Sequence, residues 1–328
     1  MIVSQTPYRV SLGGGGSDLP AFYRLESGAV VATAIQRFLY VAIAPRLGPG
    51  VRLHHDVVEQ VAHAAELPNR IVGESLVAAG IDQGVQIWTA GEVPPGTGLG
   101  SSSALAVGMA GALSRWNGEE VGADELARRA CDLEMERLGG ALGKQDQTIA
   151  AHGGLCFIEF HPDESVTVQR IPIDAAGKRA FEERVLLFYT GKQRAAGTIL
   201  SGLARVVEER RQGLRAIRDH AIGVRDALAH PDGPRFERMG EHLHEAWMEK
   251  RDLWAGSSTD EVDEWYARAR AAGALGGRLL GAGGGGFVLI LAHPDDHARI
   301  RERLGHPVEL PFRIEERGVR VHDLRERS

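Results

Sequence analysis

The stretch Pro94 to Gly108, PPGTGLGSSSALAVG, sets Gly96, Gly98 and Gly100 directly ahead of Ser101, Ser102 and Ser103, at the start of a run rich in Ala and Leu. Glycine lets a backbone turn so that several N–H groups point at one spot, and a helix N-terminus adds partial positive charge there. Together these would cradle an anion, with the hydroxyls bonding phosphate oxygens or completing the shell of a Mg²⁺ held between phosphates. The loop lacks the Gly-Lys-Ser/Thr ending of a P-loop. A turn with a serine cap is the plainer explanation of this stretch alone. It leaves two further clusters unexplained: GGGG from Gly13, followed by Ser17 and Asp18, and GAGGGG from Gly281. Consecutive glycines raise the entropy lost on folding, so close approach of backbone to a ligand is expected at all three.

Phosphoryl transfer asks for more than a cradle: oxygen ligands for a metal, a cation near the group in transit, and a carboxylate for the acceptor hydroxyl. Asp146 stands in GGALGKQDQ, a glycine-flanked turn between a helix and a strand, where it either points into a cleft or is solvated. Glu134 lies near the end of the preceding helix, either as a ligand or as an exposed charge paired with Arg137. Arg9 sits in the strand YRVSL just before the first glycine cluster, and Asp18 just after it; a structural ion pair is the other use of such an Arg. His242 and His244 in HLHEAWMEKR are two apart, on different helix faces, and are not expected to share a metal.

The elements that must position these residues follow from local pattern. VSQTPYRVSL, GAVVATAI, FLYVAIAP and GVQIWTAGEV read as strands. SSSALAVGMAGALSRW reads as a helix opening on hydroxyls. LCFIEF is a strand expected to close a first domain. Beyond it come VLLFYTG, two long charged helices over 195–230 and 235–254, a third at DEVDEWYARARAAG, and the strand leaving GAGGGG. A chain of 328 residues exceeds one comfortable core, and two domains are expected, at 1–165 and 166–328. The net charge of −6 argues against a nucleic-acid partner, which needs a basic footprint. No basic leader and no apolar run of membrane length occurs, so neither a membrane partner nor export is expected and the cytoplasm is the expected location. Cys131 and Cys156 sit among apolar neighbours and read as buried thiols. A homodimer is compatible with the sequence.

The three motifs together resemble the GHMP kinase superfamily, the group of galactokinase and the homoserine, mevalonate and phosphomevalonate kinases. The family's motifs resemble PYRVSLGGGGSD, PPGTGLGSSSA and LLGAGGGGFVLIL, in that order across nearly the whole chain. The resemblance implies a two-domain fold of α/β and α+β parts, an N-terminal ribosomal-protein-S5-like domain and a C-terminal ferredoxin-like domain, with the active site between them. It implies ATP and Mg²⁺ as cofactors. ATP would lie on Pro95, Gly96, Gly98, Leu99, Gly100, Ser101, Ser102 and Ser103, and Mg²⁺ on Ser102 and Glu134. Asp146 aligns with the family's catalytic Asp and Arg9 with the basic residue beside it.

Galactokinases carry Glu-His-Thr-Asp-Tyr where this chain has Gly15, Gly16, Ser17, Asp18 and Leu19. The Asp that holds sugar hydroxyls is kept and its bulky neighbours are gone, leaving room for a longer sugar. Gly14 to Asp18, with Gly283 and Gly284 of the third motif, are the implied substrate residues. GGGGSDLPAFY, GKQDQ and YTGKQR most resemble the bacterial D-glycero-D-manno-heptose 7-phosphate kinases, which phosphorylate an anomeric hydroxyl on the way to surface polysaccharide. A sugar phosphate needs a second anion site. Lys192 and Arg194 are candidates, since Arg offers a bidentate fork, with solvated surface charge as the alternative. Another GHMP sugar kinase, such as an L-fucose kinase, is the rival enzyme. A silent sugar sensor on the same fold is the rival of another class, and the presence of both Asp146 and Glu134 argues against it.

Overall fold

The computed structural model describes residues 1–193, 197–230, 233–253 and 256–325. Strand β1 (Ile2–Gly13) leads through a short helix α1 (Pro20–Tyr23) into β2 (Gly28–Pro45). GAVVATAI and FLYVAIAP, expected as two strands, are this single β2: neither Gly nor Pro interrupts them. Its first half is buried on both faces and its second half alternates. That length lets β2 pair β1 along one side and two other strands along the other. Next come β3 (Val51–His54), β4 (Val58–Val61), α2 (Arg70–Ala78), β5 (Val85–Gly91), α3 (Ser101–Trp116) and α4 (Ala123–Cys131). A π-helical turn, Asp132–Arg137, extends α4, and α5 (Gln145–His152), β6 (Leu155–Phe160) and β7 (Val166–Arg170) follow.

The second half runs α6 (Ala175–Glu182), β8 (Val185–Tyr189), α7 (Gly197–Ala229), α8 (Arg235–Leu253), α9 (Asp260–Ala271), β9 (Ala274–Leu279), β10 (Phe287–Ala292), α10 (His297–Arg303), β11 (Glu309–Leu310) and β12 (Arg320–Asp323). Two sheets result. The first has the order β12-β1-β2-β5-β3-β4, with β6 on β2 and β7 on β6; only β3 and β5 are parallel. The second is β11-β8-β10-β9, antiparallel throughout. Sheet membership follows no single cut in the chain: β7 lies past residue 165, and β12 returns from the far end to pair Ile2–Gln5 of β1.

Small residues set the spacing at two places that matter for the site. On α3, Gly108 lies against β1, its carbonyl accepting from Ser4 Oγ at 2.8 Å, and a Cβ there would stand 2.8 Å from Thr6 Oγ1. Helix α8 meets β9 glycine to glycine, since a Cβ on Gly276 would fall 2.1 Å from the Gly240 carbonyl oxygen. This close approach brings Lys250 of α8 and Arg278 of β9 to the same cavity. The apolar core is continuous between the halves: Leu99, Leu105 and Met109 share one cluster with Leu280, Phe287 and Leu289.

Candidate active site

A cavity of about 410 Å³ opens where the two halves meet, and all three glycine clusters reach it. Such a volume suits a small organic ligand. The second cluster forms one wall. Gly96, Gly98 and Gly100 all have positive φ, at 73°, 84° and 77°, a region that disfavours side chains. Gly98 is also pressed on the third cluster: a Cβ there would stand 2.5 Å from the Leu280 carbonyl oxygen. Gly100 caps α3 with no side-chain hydrogen bond, so the first-turn amides keep their donors toward the cavity, where Pro95 and Ser101 to Ser103 also line the wall. Leu99 is buried away from the cavity, and its carbonyl accepts from the Arg9 N–H at 3.1 Å, tying the loop to β1.

Against this wall lies an acid and a base. Asp146 is not in a turn, as its flanking glycines suggested, but in the first turn of α5, where the helix field favours a carboxylate. Arg9 grips it with two parallel hydrogen bonds, Nε to Oδ1 at 2.6 Å and Nη2 to Oδ2 at 2.5 Å, and gives Nη1 to the Gly98 carbonyl at 2.5 Å. A bidentate pair fixes orientation as well as charge. A Cβ on Gly100 would stand 3.4 Å from Asp146 Oδ2 and 3.1 Å from Arg9 Cγ. The carboxylate therefore sits directly beneath the start of α3.

Of the two uses open to Glu134, the structure rules out the exposed charge paired with Arg137: Glu134 is buried, while Arg137 reaches Glu74 instead, at 3.8 Å. The wider π turn lets both Leu133 and Glu134 face inward. Burial raises the Glu134 carboxyl above its ordinary value, and the hydroxyls of Ser103 and Ser102 and the amide of Gln147, donating at 2.6 Å, pull it back. Asp18 is likewise buried, and burial raises it, with the charge of Asp146 adding to the rise; the Gly16 N–H, donating at 2.8 Å, opposes it. Gly143 makes room for that carboxylate, since a Cβ would fall 1.8 Å from Asp18 Oδ2.

The cavity thus gathers Arg9, Asp146, Asp18, Gly15, Gly16, the serine loop and Gly283, with Glu134 packed behind Ser102 and Ser103. Gly14, Ser17 and Gly284 do not line it; the Ser17 hydroxyl donates to the carbonyls of Gly14 and Ala29 and so braces the first loop. Lys192 also stands apart from it, exposed and ion-paired with Glu261. Arg194 lies outside the described residues. Residue spacing missed Lys250 and Arg278, both buried at the cavity wall, and Gln145 and Gln147, whose buried Oε1 atoms have no hydrogen-bond partner. For Arg278 a signal existed, a lone cation inside the apolar strand GGRLLG. Lys250 is hidden among the charges of EKRD. His242 and His244 take different partners, as expected: His220 and Tyr266.

Comparison with known proteins agrees with this geometry. Residues 64–154 match the family described as GHMP kinases N terminal domain, and residues 224–309 that described as GHMP kinases C terminal. The chain belongs to the GHMP kinase superfamily and is a phosphotransferase. It is 29% identical over 310 residues to the D-glycero-alpha-D-manno-heptose 7-phosphate kinase of Campylobacter jejuni, covering 89% of this chain and 90% of that one. It is 28% identical to the bifunctional fucokinase/GDP-fucose pyrophosphorylase of Arabidopsis thaliana, over 94% of this chain and 32% of that longer protein. The crystal structure of a D-glycero-D-manno-heptose 1-phosphate kinase from Bacteroides thetaiotaomicron shares the fold, with a TM-score of 0.80 at 21% identity over 99% of both chains. The two-domain GHMP fold expected from the motifs is the fold observed. No helix among the described residues is long and apolar enough to cross a membrane.

Proposed function

We propose that this chain is a cytoplasmic kinase that transfers the γ-phosphoryl group of ATP to the anomeric hydroxyl of D-glycero-D-manno-heptose 7-phosphate, giving the 1,7-bisphosphate for activated-heptose and surface-polysaccharide synthesis. The observation that carries the reading is the Arg9–Asp146 pair lodged beneath the glycine-lined start of α3. That arrangement puts an oriented carboxylate next to a phosphate cradle, as transfer to an alcohol requires. The heptose 7-phosphate kinase relative, matched over most of both chains, supports the acceptor. The short residues Gly15 and Gly16 beside Asp18 leave room for a seven-carbon sugar.

In this reading the amides of Gly96 to Ser103 hold the nucleotide phosphates. Asp18 accepts from sugar hydroxyls. Asp146 orients the C1 hydroxyl and takes its proton as the new P–O bond forms and the bond to the ADP leaving group breaks. Arg9 keeps the carboxylate aimed and offsets charge on the group in transit. The oxygen donors of Ser102 and Glu134, with the partnerless Gln147 Oε1 close by, suit a hard cation. Mg²⁺ held there would neutralise phosphate charge.

The test is Asp146→Asn. It should retain nucleotide binding by calorimetry and lose turnover by about three orders of magnitude or more, and retained turnover excludes the role. An ADP-release panel with heptose 7-phosphate, mannose 6-phosphate, fucose and galactose decides the acceptor; silence with all four would favour a sensor.

A further inference from the structure

Resting on that reading, we infer that Arg278, with Lys250 beside it, forms an anion subsite that takes the acceptor's second anionic group, a phosphate ester distal to the hydroxyl that reacts. Arg278 is 4% exposed, projects from β9 opposite Leu289, and lines the cavity. Its Nε is a buried donor with no hydrogen-bond partner, and among the described residues no ion pair reaches its guanidinium. The guanidinium lies on the first glycine loop: a Cβ on Gly15 would stand 3.6 Å from Nη2. Lys250, 3% exposed, approaches from α8 and donates from Nζ to the Gly281 carbonyl at 2.7 Å.

Among the described residues, no acid of the cavity forms an ion pair with Arg278, although the charge of Asp18 reaches it. Arg9 is matched by Asp146, and Asp18 turns its oxygens to the amides of Gly16 and Gln145. A buried cation without a partner is among the costlier arrangements a fold can hold. Burial and the nearby charge of Arg9 push Arg278 down to about 10, against the opposing charge of Asp18, which leaves it charged at neutral pH. A planar fork of five donors matches a phosphate monoester, where a neutral sugar edge would leave the charge uncompensated. The side of the cavity also matters. Arg278 keeps company with Gly15 and Asp18 of the first motif, residues assigned to the sugar, so the group it awaits belongs to the acceptor. Lys192, by contrast, is exposed, off the cavity and already paired with Glu261.

The experiment measures kcat/KM for heptose 7-phosphate and for the unphosphorylated heptose in wild type, Arg278→Met and Arg278→Lys, alongside melting with and without heptose 7-phosphate. In Arg278→Met the preference for the phosphorylated sugar should fall ~10- to 100-fold, the range of one or two charge-assisted hydrogen bonds. Arg278→Lys should restore part of it. The sugar phosphate should raise the melting temperature of wild type and not of Arg278→Met. The ligand-free Arg278→Met protein should melt no lower than wild type, because a buried unmatched charge has gone. Three results overturn the inference: a preference that survives in Arg278→Met, an equal loss on both sugars, or a ligand-free melting temperature that collapses. Should wild type itself show no preference for the phosphorylated sugar, the heptose-phosphate reading falls and takes this subsite with it, an outcome read before any variant is made.

Discussion

Helix starts in this molecule are built in two ways. At the outer helix α9, Thr259 accepts from the Val262 N–H at 3.3 Å, and at α6 Asp174 accepts from Gly177 at 2.6 Å. At α3 the capping position is Gly100, in the left-handed region and without any side-chain bond. The contrast is between starts that close their own amides with a side chain and one that leaves them open to the cavity. A cap contributes about 1 kcal/mol. Forgoing it at α3, together with three left-handed glycines, gives up stability for a surface of converging donors.

The comparison can be broken most sharply at Gly98. Gly98→Ala forces a methyl group 2.5 Å from the Leu280 carbonyl oxygen on a backbone with φ of 84°. A loss of about 2 kcal/mol or more in stability and at least ~100-fold in kcat/KM for ATP is expected, measured by melting and steady-state kinetics. Wild-type ATP kinetics in this variant would mean that the loop does not serve the nucleotide.

Ser102→Ala separates chemistry from folding at the same helix start. Turnover should drop about 10- to 100-fold while melting stays within about 0.5 kcal/mol of wild type. Loss of stability without loss of turnover would reassign Ser102 as an ordinary cap.

Asp18→Asn probes the other carboxylate held on loop amides. KM for the sugar should rise about tenfold. The sign of the stability effect follows from burial, which raises the Asp18 carboxyl. The folded state then binds the proton more tightly than the unfolded chain, so this group's stability is present below the ordinary value of 3.8 and lost as pH rises through the raised one. The variant should therefore gain on wild type at neutral pH, and the gap should close as pH falls toward 3.8. Melting curves across that range check it. Smallest of all is Thr259→Ala, expected to cost about 1 kcal/mol in melting and to leave the kinetics as in wild type.

What the sequence made legible is what local chemistry determines. Glycine runs and hydroxyls at a helix start are short-range signals, and all three runs they marked reach one cavity. Spacing alone left Glu134 between a ligand and an exposed partner of Arg137, because it assumes 3.6 residues per turn, and a π turn over Asp132–Arg137 shifts the inward face. Asp146 was placed in a turn because glycines flank it, although the residues after it propagate a helix. Lys250 and Arg278 meet only because Gly240 and Gly276 let α8 press on β9. That coincidence of two distant glycines leaves no mark in any local window.

Strand β12 has a consequence in time. The residues around 320 lie far along the chain from β1, yet they border it at Ile2–Gln5, and the segment before them is pinned to α5, with the Val319 N–H donating to the Ala150 carbonyl at 3.0 Å. Until that segment docks, the β1 side of the first sheet has one edge unsealed, a template for stray pairing, and the helix bearing Asp146 lacks its brace.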